Sequence, residues 1–300
     1  MARTMYKTLF TELDDGVLTI TLNRPEELNT IVPPMPEEFE EAVMRASRDD
    51  SVKIIVVRGA GRAFCAGYNF GEGFHQWDER ITTDGRWDPA KDASSATNRY
   101  TSPHQQFFSM WRCPKPVIAM VHGWCVGGGS DNALSADIII ASEDAVIGTP
   151  YSRMWGAYLT GMWIYRLGLT EAKWRALTGE PFTGREAADA GLINEAVPFS
   201  ELADRVDEIV SKLKTIPLSQ LMAQKMVVNH AYEQMGLGAV QTLGPIMDGI
   251  MRNTPDALAW IDIANTQGVR EAISRRDGPF GDYSQGPKDK RPDPAHVIEV

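Results

Sequence analysis

The sequence has few cysteines and no long apolar run. Cys65, Cys113 and Cys125 are widely spaced, without the paired spacing of a zinc site or the density of a secreted disulfide scaffold. The first residues lack the apolar stretch of a signal peptide, and no apolar run has the length that a bilayer requires. We therefore predict reduced thiols and a cytoplasmic protein with no metal site and no membrane partner.

Positive charge is also in deficit. The chain has 30 Lys and Arg against 40 Asp and Glu, which gives a net charge of −10. A field of this sign repels phosphates, so it argues against nucleic acid as a partner. The hydrophobic fraction of 43% and the charged fraction of 23% are those of globular proteins, which excludes a disordered or fibrous chain.

The apolar patterns alternate between strand and helix. Alternating residues over 15–22 and a β-branched run over 51–59 predict two strands, and apolar residues at helical spacing over 33–50 predict a helix between them. Another strand pattern follows at 115–123, and 185–190 is typical of a short helix. Short strands alternating with helices predict an α/β fold.

After residue 199 the sequence changes to long amphipathic helical patterns. We therefore divide the whole chain into a core over 1–199 with a long insertion at 71–106, a helical region over 200–276 and a tail over 277–300. The insertion has few aliphatic residues and predicts a loop without regular structure, functional or mobile. The tail is rich in proline and charge and predicts an extended or disordered end.

Two glycine-rich turns follow predicted strands. Gly127, Gly128 and Gly129 precede residues that favour a helix N-terminus, and a second segment with a small-residue turn spans 59–73. Such turns expose backbone N–H groups to an anion or a developing oxyanion, although glycine also simply permits close packing. The spacing is not that of a dinucleotide site. The two turns together predict amides that converge on one carbonyl oxygen.

Four motifs occur in an order that resembles the crotonase (enoyl-CoA hydratase/isomerase) superfamily, over about residues 6–276. They are LNRPxxxN from Leu22, FxAGxN from Phe64, HGxxxGGGxD from His122 and LTGxxxxxxEAxxxGLxNExVP from Leu177. The resemblance implies a spiral of repeated strand-strand-helix units, with a C-terminal helical region that makes homotrimers or dimers of trimers. It also implies an acyl-CoA substrate of fatty acid metabolism and no cofactor, since coenzyme A is part of the substrate.

The resemblance assigns roles to particular residues. The backbone amides of Tyr68 and Gly128 would form the oxyanion hole for the thioester, and Ala66, Gly67 and Asn69 would line the substrate entrance. Hydratases of the family use two glutamates, and the matching positions here are Asp131 and Tyr151. Because a phenol has an ordinary pKa near 10, Tyr151 is a plausible acid or hydrogen-bond donor and a poor base.

Asp131 therefore acts alone or with a partner from elsewhere, unless it is only a carboxylate at a helix N-terminus. Candidate partners are polar residues of the insertion, of the turn after Tyr151 and of the C-terminal segment: His75, Asp78, Arg153, Asp277, Asp282 and Tyr283. His122 and Asp137 are interpreted as packed, structural residues, and Cys65 and Cys125 lack a sequence-evident catalytic partner.

Two features bear on the ligand. Glu26 and Glu27 stand where many relatives have lysine toward the nucleotide, so other basic residues would compensate: Arg24, Lys53, Arg275, Arg276 and Lys288. An aromatic cluster after the second turn would form either core or an acyl pocket: Tyr151, Trp155, Tyr158, Trp163 and Tyr165.

The resemblance thus implies an acyl-CoA enzyme, first an enoyl-CoA hydratase that stabilises a thioester enolate with Asp131 as acid/base. The alternatives are a double-bond isomerase or a C–C hydrolase of the same superfamily, since one carboxylate can move one proton between carbons. A catalytically weak acyl-CoA-binding protein is the alternative from another class.

Overall fold

A computed structural model describes residues 2–70, 79–154 and 156–300. The strands are β1 (Ala2–Met5), β2 (Leu9–Asp14), β3 (Val17–Leu22), β4 (Ile54–Gly59), β5 (Ala63–Cys65), β6 (Thr82–Thr83), β7 (Arg86–Trp87), β8 (Val117–Val121), β9 (Trp124–Val126), β10 (Ile138–Ser142), β11 (Val146–Gly148), β12 (Phe182–Thr183) and β13 (Glu195–Val197). The helices are α1 (Pro34–Arg48), α2 (Pro89–Thr97), α3 (Pro103–Phe107), α4 (Ser109–Arg112), α5 (Gly128–Ala133), α6 (Met162–Thr178), α7 (Gly184–Asp189), α8 (Phe199–Thr215), α9 (Leu218–Gln234), α10 (Leu237–Arg252), α11 (Pro255–Gln267) and α12 (Val269–Asp277).

The strands form two main sheets through which the chain spirals. The larger has the order β1-β2-β3-β4-β8-β10-β13, parallel from β3 onward, and the smaller has the order β12-β11-β9-β5. Each turn places one strand in the larger sheet and the next in the smaller, as in β4 to β5, β8 to β9 and β10 to β11. The predicted α/β spiral is confirmed, and the turns after β5 and β9 leave neighbouring strands of the smaller sheet.

The core explains why α1 forms where the apolar spacing predicts it. Phe39, Ala42, Val43 and Ala46 recur at helical spacing and are at most 2% exposed. They pack with inward-facing residues of the strands, including the fully buried Ile55. Burial of this apolar face, at about 25 cal/mol per Å², holds α1 against the sheet.

Helix α8 covers the opposite face of the larger sheet. Leu202, Val206 and Val210 lie on one side of the helix and pack against strand residues such as Val56 and Ile118. The C-terminal region is helical as predicted, from α8 through α12. Its first helix shares a hydrophobic cluster with the strands of the preceding segment, because the sheet would otherwise expose an apolar face.

The expectation of a loop without regular structure across 71–106 is wrong for its described part, 79–106. This part contains the β6–β7 hairpin, α2 and the first residues of α3. Asp88 caps α2, with its side chain accepting hydrogen bonds from the backbone N–H groups of Ala90 (3.0 Å) and Lys91 (3.1 Å), and Pro89 occupies the first helical turn. A cap and a Pro at the start suffice for a short helix without an aliphatic stripe.

The tail is more ordered than the sequence predicts. It forms short 3₁₀ helices at Gly278–Phe280, Tyr283–Gln285 and Lys288–Lys290, and Ile298 pairs with Gly61. Tyr283 is 6% exposed and donates a hydrogen bond to the carbonyl of Gly179 (2.7 Å). The buried aromatic ring anchors the segment, so the prediction of an extended or disordered tail is wrong here. Within the described ranges, no helix combines the length and apolar character that a membrane span needs.

Candidate functional site

The two glycine-rich turns meet, as the sequence predicts. Gly67 has φ +91° and Gly127 has φ +55°, and a Cβ on Gly67 would stand 3.8 Å from the Gly128 nitrogen. Ile31 fixes the first turn by donating to the carbonyl of Gly67 (2.8 Å) and accepting from the amide of Asn69 (2.9 Å). Tyr68 lies between these two bonds, so its own amide faces away from Ile31.

Gly128 supplies a second amide at this place. Gly127 is the N-cap of α5, which makes Gly128 the first helical residue, and the N–H at that position has no acceptor within its helix. Tyr68 and Gly128 both line one cavity of about 450 Å³. The predicted pair of oxyanion donors thus borders a space that can hold an acyl group.

The cavity wall combines the two turns with the insertion, α10 and α11. Of the three residues expected to line the substrate entrance, Ala66 and Gly67 belong to this wall and Asn69 does not. Asn69 is 8% exposed, and its side chain donates to Oε2 of Glu27 (2.7 Å). The polar residues of the wall beyond the turns are Arg80, Thr82, Asp92, Ser95, Ser102, His104, Tyr151, Asp248, Arg252, Asn253 and Arg276.

Asp131 and Tyr151 form a hydrogen-bonded pair at the inner end of the site. Asp131 is fully buried in α5, and its Oδ2 accepts a hydrogen bond from the Tyr151 hydroxyl (2.7 Å). Its Oδ1 accepts a longer one from the hydroxyl of Thr160 (3.3 Å). Tyr151 belongs to the cavity wall and Asp131 does not. The Tyr151 phenol therefore lies between the Asp131 carboxylate and the cavity.

The electrostatics of the pair follow from this burial. Burial raises the pKa of Asp131 to about 7, against the opposing effect of the hydrogen bonds from Tyr151 and Thr160. Burial and then the neighbouring Asp131 charge raise the pKa of Tyr151 well above its ordinary value of 10. The phenol stays protonated at neutral pH, whereas the carboxyl group exchanges its proton near neutrality.

Four of the candidate partners lie together, in a different place. The Arg153 side chain is 3% exposed and donates from Nη1 to Oδ1 of Asp282 (2.8 Å) and Oδ1 of Asp277 (3.2 Å). Its guanidinium carbon lies 3.8 Å from the ring centroid of Phe280 and 5.4 Å from that of Tyr283. None of Arg153, Asp277, Asp282 or Tyr283 belongs to the cavity wall. The ion pairs of Arg153 with Asp277 and Asp282 connect the segment that contains Tyr151 to the C-terminal tail, so we interpret this group as structural.

Other sequence candidates have structural partners too. His122 is fully buried and hydrogen-bonds to the carbonyl of Gly61 (2.7 Å), and Asp137 pairs with Nζ of Lys225 (2.7 Å), as the structural interpretation predicts. Burial raises the pKa of the Cys65 thiol to about 12, and Cys125 is equally buried, so neither is a nucleophile. His75, Asp78 and Trp155 lie outside the described residues.

The aromatic cluster is mostly core. Tyr158 stacks on Trp163 at 5.7 Å between ring centroids, and Trp163 stacks on Phe182 at 6.3 Å. Tyr165 packs edge-on against Tyr232. Of the cluster members that the structure describes, Tyr151 alone lines the cavity.

Of the two acidic residues that follow Pro25, Glu27 is paired locally. Arg24 pairs with Glu27, which also accepts the hydrogen bond from Asn69. Lys53 donates to the carbonyl of Lys214 (2.6 Å) and so packs against the end of α8. Of the proposed compensating residues, only Arg276 reaches the cavity wall. Arg275 pairs with Glu271 (2.8 Å), and Lys288 lies on the 3₁₀ helix of the tail.

Sequence reasoning missed an ionic group in the cavity wall, formed by Asp92, Asp248 and Arg252. Arg252 donates from Nε to Oδ2 of Asp248 (2.9 Å) and from Nη2 to both oxygens of Asp92 (3.2 Å each). An acid and a base four residues apart in α10 were a detectable signal for the first contact. Asp92 gave no signal because its helix was not predicted. No group of His, Cys, Asp and Glu among the described residues has the arrangement of a metal site.

Comparison with known proteins places this geometry in context. The family model described as enoyl-CoA hydratase/isomerase matches residues 12–243. The 1,2-epoxyphenylacetyl-CoA isomerase of Escherichia coli K12 is 31% identical over 231 residues, covering 76% of this chain and 84% of the relative. The hydroxycinnamoyl-CoA hydratase-lyase of Pseudomonas fluorescens is 28% identical over 212 residues, covering 69% and 73%.

The solved structures include a crystal structure of an enoyl-CoA hydratase from Mycobacterium smegmatis. It superposes with a TM-score of 0.86 at 38% identity, covering 94% of this chain and 97% of the other. The spiral and the helical region are thus shared over nearly the whole length of both chains.

Proposed function

Because the chain belongs to the enoyl-CoA hydratase/isomerase family, we propose that Tyr151 and Asp131 act as one acid/base unit on the enolate of an enoyl-CoA thioester. The hydrogen bond of 2.7 Å between the Tyr151 hydroxyl and Oδ2 of Asp131 carries this proposal. Tyr151 borders the cavity, and Asp131 behind it has a pKa raised by burial to about 7. A proton-holding group works best when its pKa is near the operating pH.

The thioester oxygen is held by the two turns in this proposal. Its carbonyl accepts hydrogen bonds from the amides of Tyr68 and Gly128, and these donors stabilise the negative charge that develops as the enolate forms. Fixed backbone donors need little reorganisation during the reaction. The acyl chain then extends into the cavity past Tyr151.

The proton moves through the phenol. When a carbon of the substrate releases its proton to the Tyr151 oxygen, the phenolic proton passes to Oδ2 of Asp131, so no free phenolate accumulates. The reverse movement returns a proton to another carbon of the same enolate, which shifts the double bond without net change in the enzyme. Isomerisation requires only this one unit, because the proton that leaves one carbon returns to another carbon of the same substrate.

Hydration is the second candidate, and the names of relatives favour it. The resemblance extends to proteins called probable enoyl-CoA hydratases in Dictyostelium discoideum and Rhodobacter capsulatus, at 31% and 32% identity. In hydration the water oxygen bonds to the β-carbon as the same unit takes a proton from the water, and the unit then delivers a proton to the α-carbon.

We expect the purified chain to bind CoA thioesters and to interconvert 3-enoyl-CoA and 2-enoyl-CoA in buffer with a metal chelator and no added cofactor. Calorimetry with enoyl-CoAs, saturated acyl-CoAs and free CoA measures binding, and product analysis separates double-bond shift, hydration and C–C cleavage. Binding without turnover across chain lengths and ring types would support the acyl-CoA-binding alternative. No heat and no competition at millimolar ligand would contradict both functions.

We also propose a homotrimer or a dimer of trimers. Large apolar side chains on α6 and α9 are exposed in the single chain, with Trp174 at 55%, Leu177 at 82% and Met226 at 67%. Apolar patches of this kind favour a subunit interface. Light scattering at micromolar concentration should give a multiple of 33 kDa, and a 33 kDa particle would contradict it. A cytoplasmic location stays a prediction that cell fractionation tests.

A further inference from the structure

The ionic group of Asp92, Arg252 and Asp248 joins the insertion to α10 at the cavity. Trp87 donates from Nε1 to Oδ2 of Asp92 (2.9 Å), and Arg252 reaches both Asp92 oxygens. Gly249 permits this contact, because a Cβ there would stand 2.6 Å from Oδ2 of Asp92. With its side chain 4% exposed, Asp92 has both oxygens engaged.

Asp248 differs from Asp92 because one of its carboxylate oxygens can accept a further hydrogen bond. Its Oδ2 accepts from Nε of Arg252 (2.9 Å), while its Oδ1 has no hydrogen-bond partner in the part of the chain that the structure describes. The side chain is 21% exposed and lines the cavity. A carboxylate oxygen accepts hydrogen bonds and, when ionised, donates none. The cavity wall therefore offers one open acceptor.

The charges around this oxygen determine which chemical groups can approach it. Burial raises the pKa of Asp248, and the ion pair with Arg252 opposes this rise. When both carboxyl groups are ionised, Asp92 and Asp248 share one guanidinium, which leaves a formal charge of −1. The other two arginines of the wall are already paired, Arg80 with Glu37 (2.5 Å) and Arg276 with Asp277 (2.8 Å). Burial lowers the pKa of His104 to about 3, so this ring stays neutral. An acyl group that ends in a carboxylate would meet net negative charge.

The remaining wall is apolar, which argues for a neutral donor. Side chains of this kind include Phe70, Leu159, Trp260, Ile261 and Ile273. An ammonium group would lose much of its hydration here, whereas a hydroxyl loses far less and regains a hydrogen bond.

We propose that Oδ1 of Asp248 accepts a hydrogen bond from a hydroxyl group on the substrate's acyl chain, with Asp92 and Arg252 as positioning residues. This specificity site rests on the proposed acyl-CoA function. It places the acyl hydroxyl at the wall formed by α2 and α10, and the thioester at the turns of Tyr68 and Gly128. The insertion thereby contributes to substrate choice through Asp92.

The test compares acyl groups that differ only in one end group. A chain-length series of enoyl-CoAs carries a terminal methyl, hydroxyl or carboxylate, and a ring-bearing pair carries phenyl or hydroxyphenyl. We expect kcat/KM for the hydroxyl compound to exceed that of its methyl or phenyl partner about 10- to 100-fold in at least one pair, as a hydrogen bond to a charged acceptor provides. The carboxylate compound should be the poorest of its set.

Asp248→Asn should remove most of that preference by lowering kcat/KM for the hydroxyl compound alone. Asp256→Asn, at an exposed position in the first turn of α11, is the matched control and should keep the preference. Equal loss on all compounds in Asp248→Asn would overturn the proposal and indicate a structural or proton-transfer role. No hydroxyl preference in the wild-type enzyme would overturn it whether or not the variant folds.

Binding separates this proposal from the proposed function. Calorimetry with the saturated acyl-CoA counterparts measures the same end-group preference without turnover. A hydroxyl preference in binding with no turnover would support the site and contradict the catalytic proposal. Turnover without any hydroxyl preference would support the catalytic proposal and contradict the specificity site.

Discussion

Asp131→Asn is expected to lower kcat by about 10²–10⁴, the usual contribution of a general acid/base, while acyl-CoA binding is kept. The amide has the shape of the carboxyl group and can still accept the hydrogen bond of Tyr151, but it cannot take up the proton. The wild-type rate of a reaction that begins with proton removal should rise with pH through about 7, because Asp131 must be ionised to receive the proton. The variant should lack this ionisation. Initial rates across pH and calorimetry on both proteins provide the measurement.

Asp137→Asn is the matched control, because Asp137 is a partly buried carboxyl group in the same segment, with a pKa also raised by burial, and pairs with Lys225. This variant can lose stability but should keep kcat and the ionisation near pH 7. Wild-type activity in Asp131→Asn with an unchanged pH profile would show that the proton-transfer group lies elsewhere, and His75 would be the next residue to test.

Arg153→Met is expected to reduce the free energy of unfolding by about 3–5 kcal/mol, because removing one partner of a buried ion pair leaves uncompensated charge. Asp277 has a side chain 2% exposed and Asp282 one 18% exposed, and both would lose a partner. Methionine retains much of the packing volume, so the loss reports mainly on charge. Denaturant unfolding followed by circular dichroism gives the free energy.

Arg205→Met serves as the control for the length and chemistry of the substitution. Arg205 also bonds to two carboxylates, Glu195 and Glu208, but lies at the surface of α8, where such pairs contribute about 0–1 kcal/mol. Equal losses in the two variants would contradict the structural role of the Arg153 group.

Much of the fold follows from local sequence patterns. The apolar spacing around Phe39 and the β-branched run ending at Gly59 predict α1 and β4 because each buries one face or both. The glycines at 67 and 127 predict the meeting of the turns, because both adopt positive φ and allow close approach. The superfamily suggested by the four motifs is confirmed by the family match.

The sequence does not show which side chains line the cavity and which are buried behind them. Asp131 and Tyr151 were identified as the chemical positions, but the order in which they meet the cavity depends on how the Tyr151 segment crosses α5. Asp92 and Arg252 are 160 residues apart in sequence. Their contact depends on docking of the insertion onto α10, which no local periodicity encodes.

If Tyr151 and Asp131 act as one proton-transfer unit, as we propose, the Tyr151→Phe/Asp131→Asn double variant should lose little more activity than either single variant. Residues that act as a unit give strongly non-additive losses. We predict that kcat for double-bond interconversion falls by about 10²–10⁴ in each single variant and by no more than about 10-fold further in the double variant. Losses that multiply would show two independent contributions and contradict the claim.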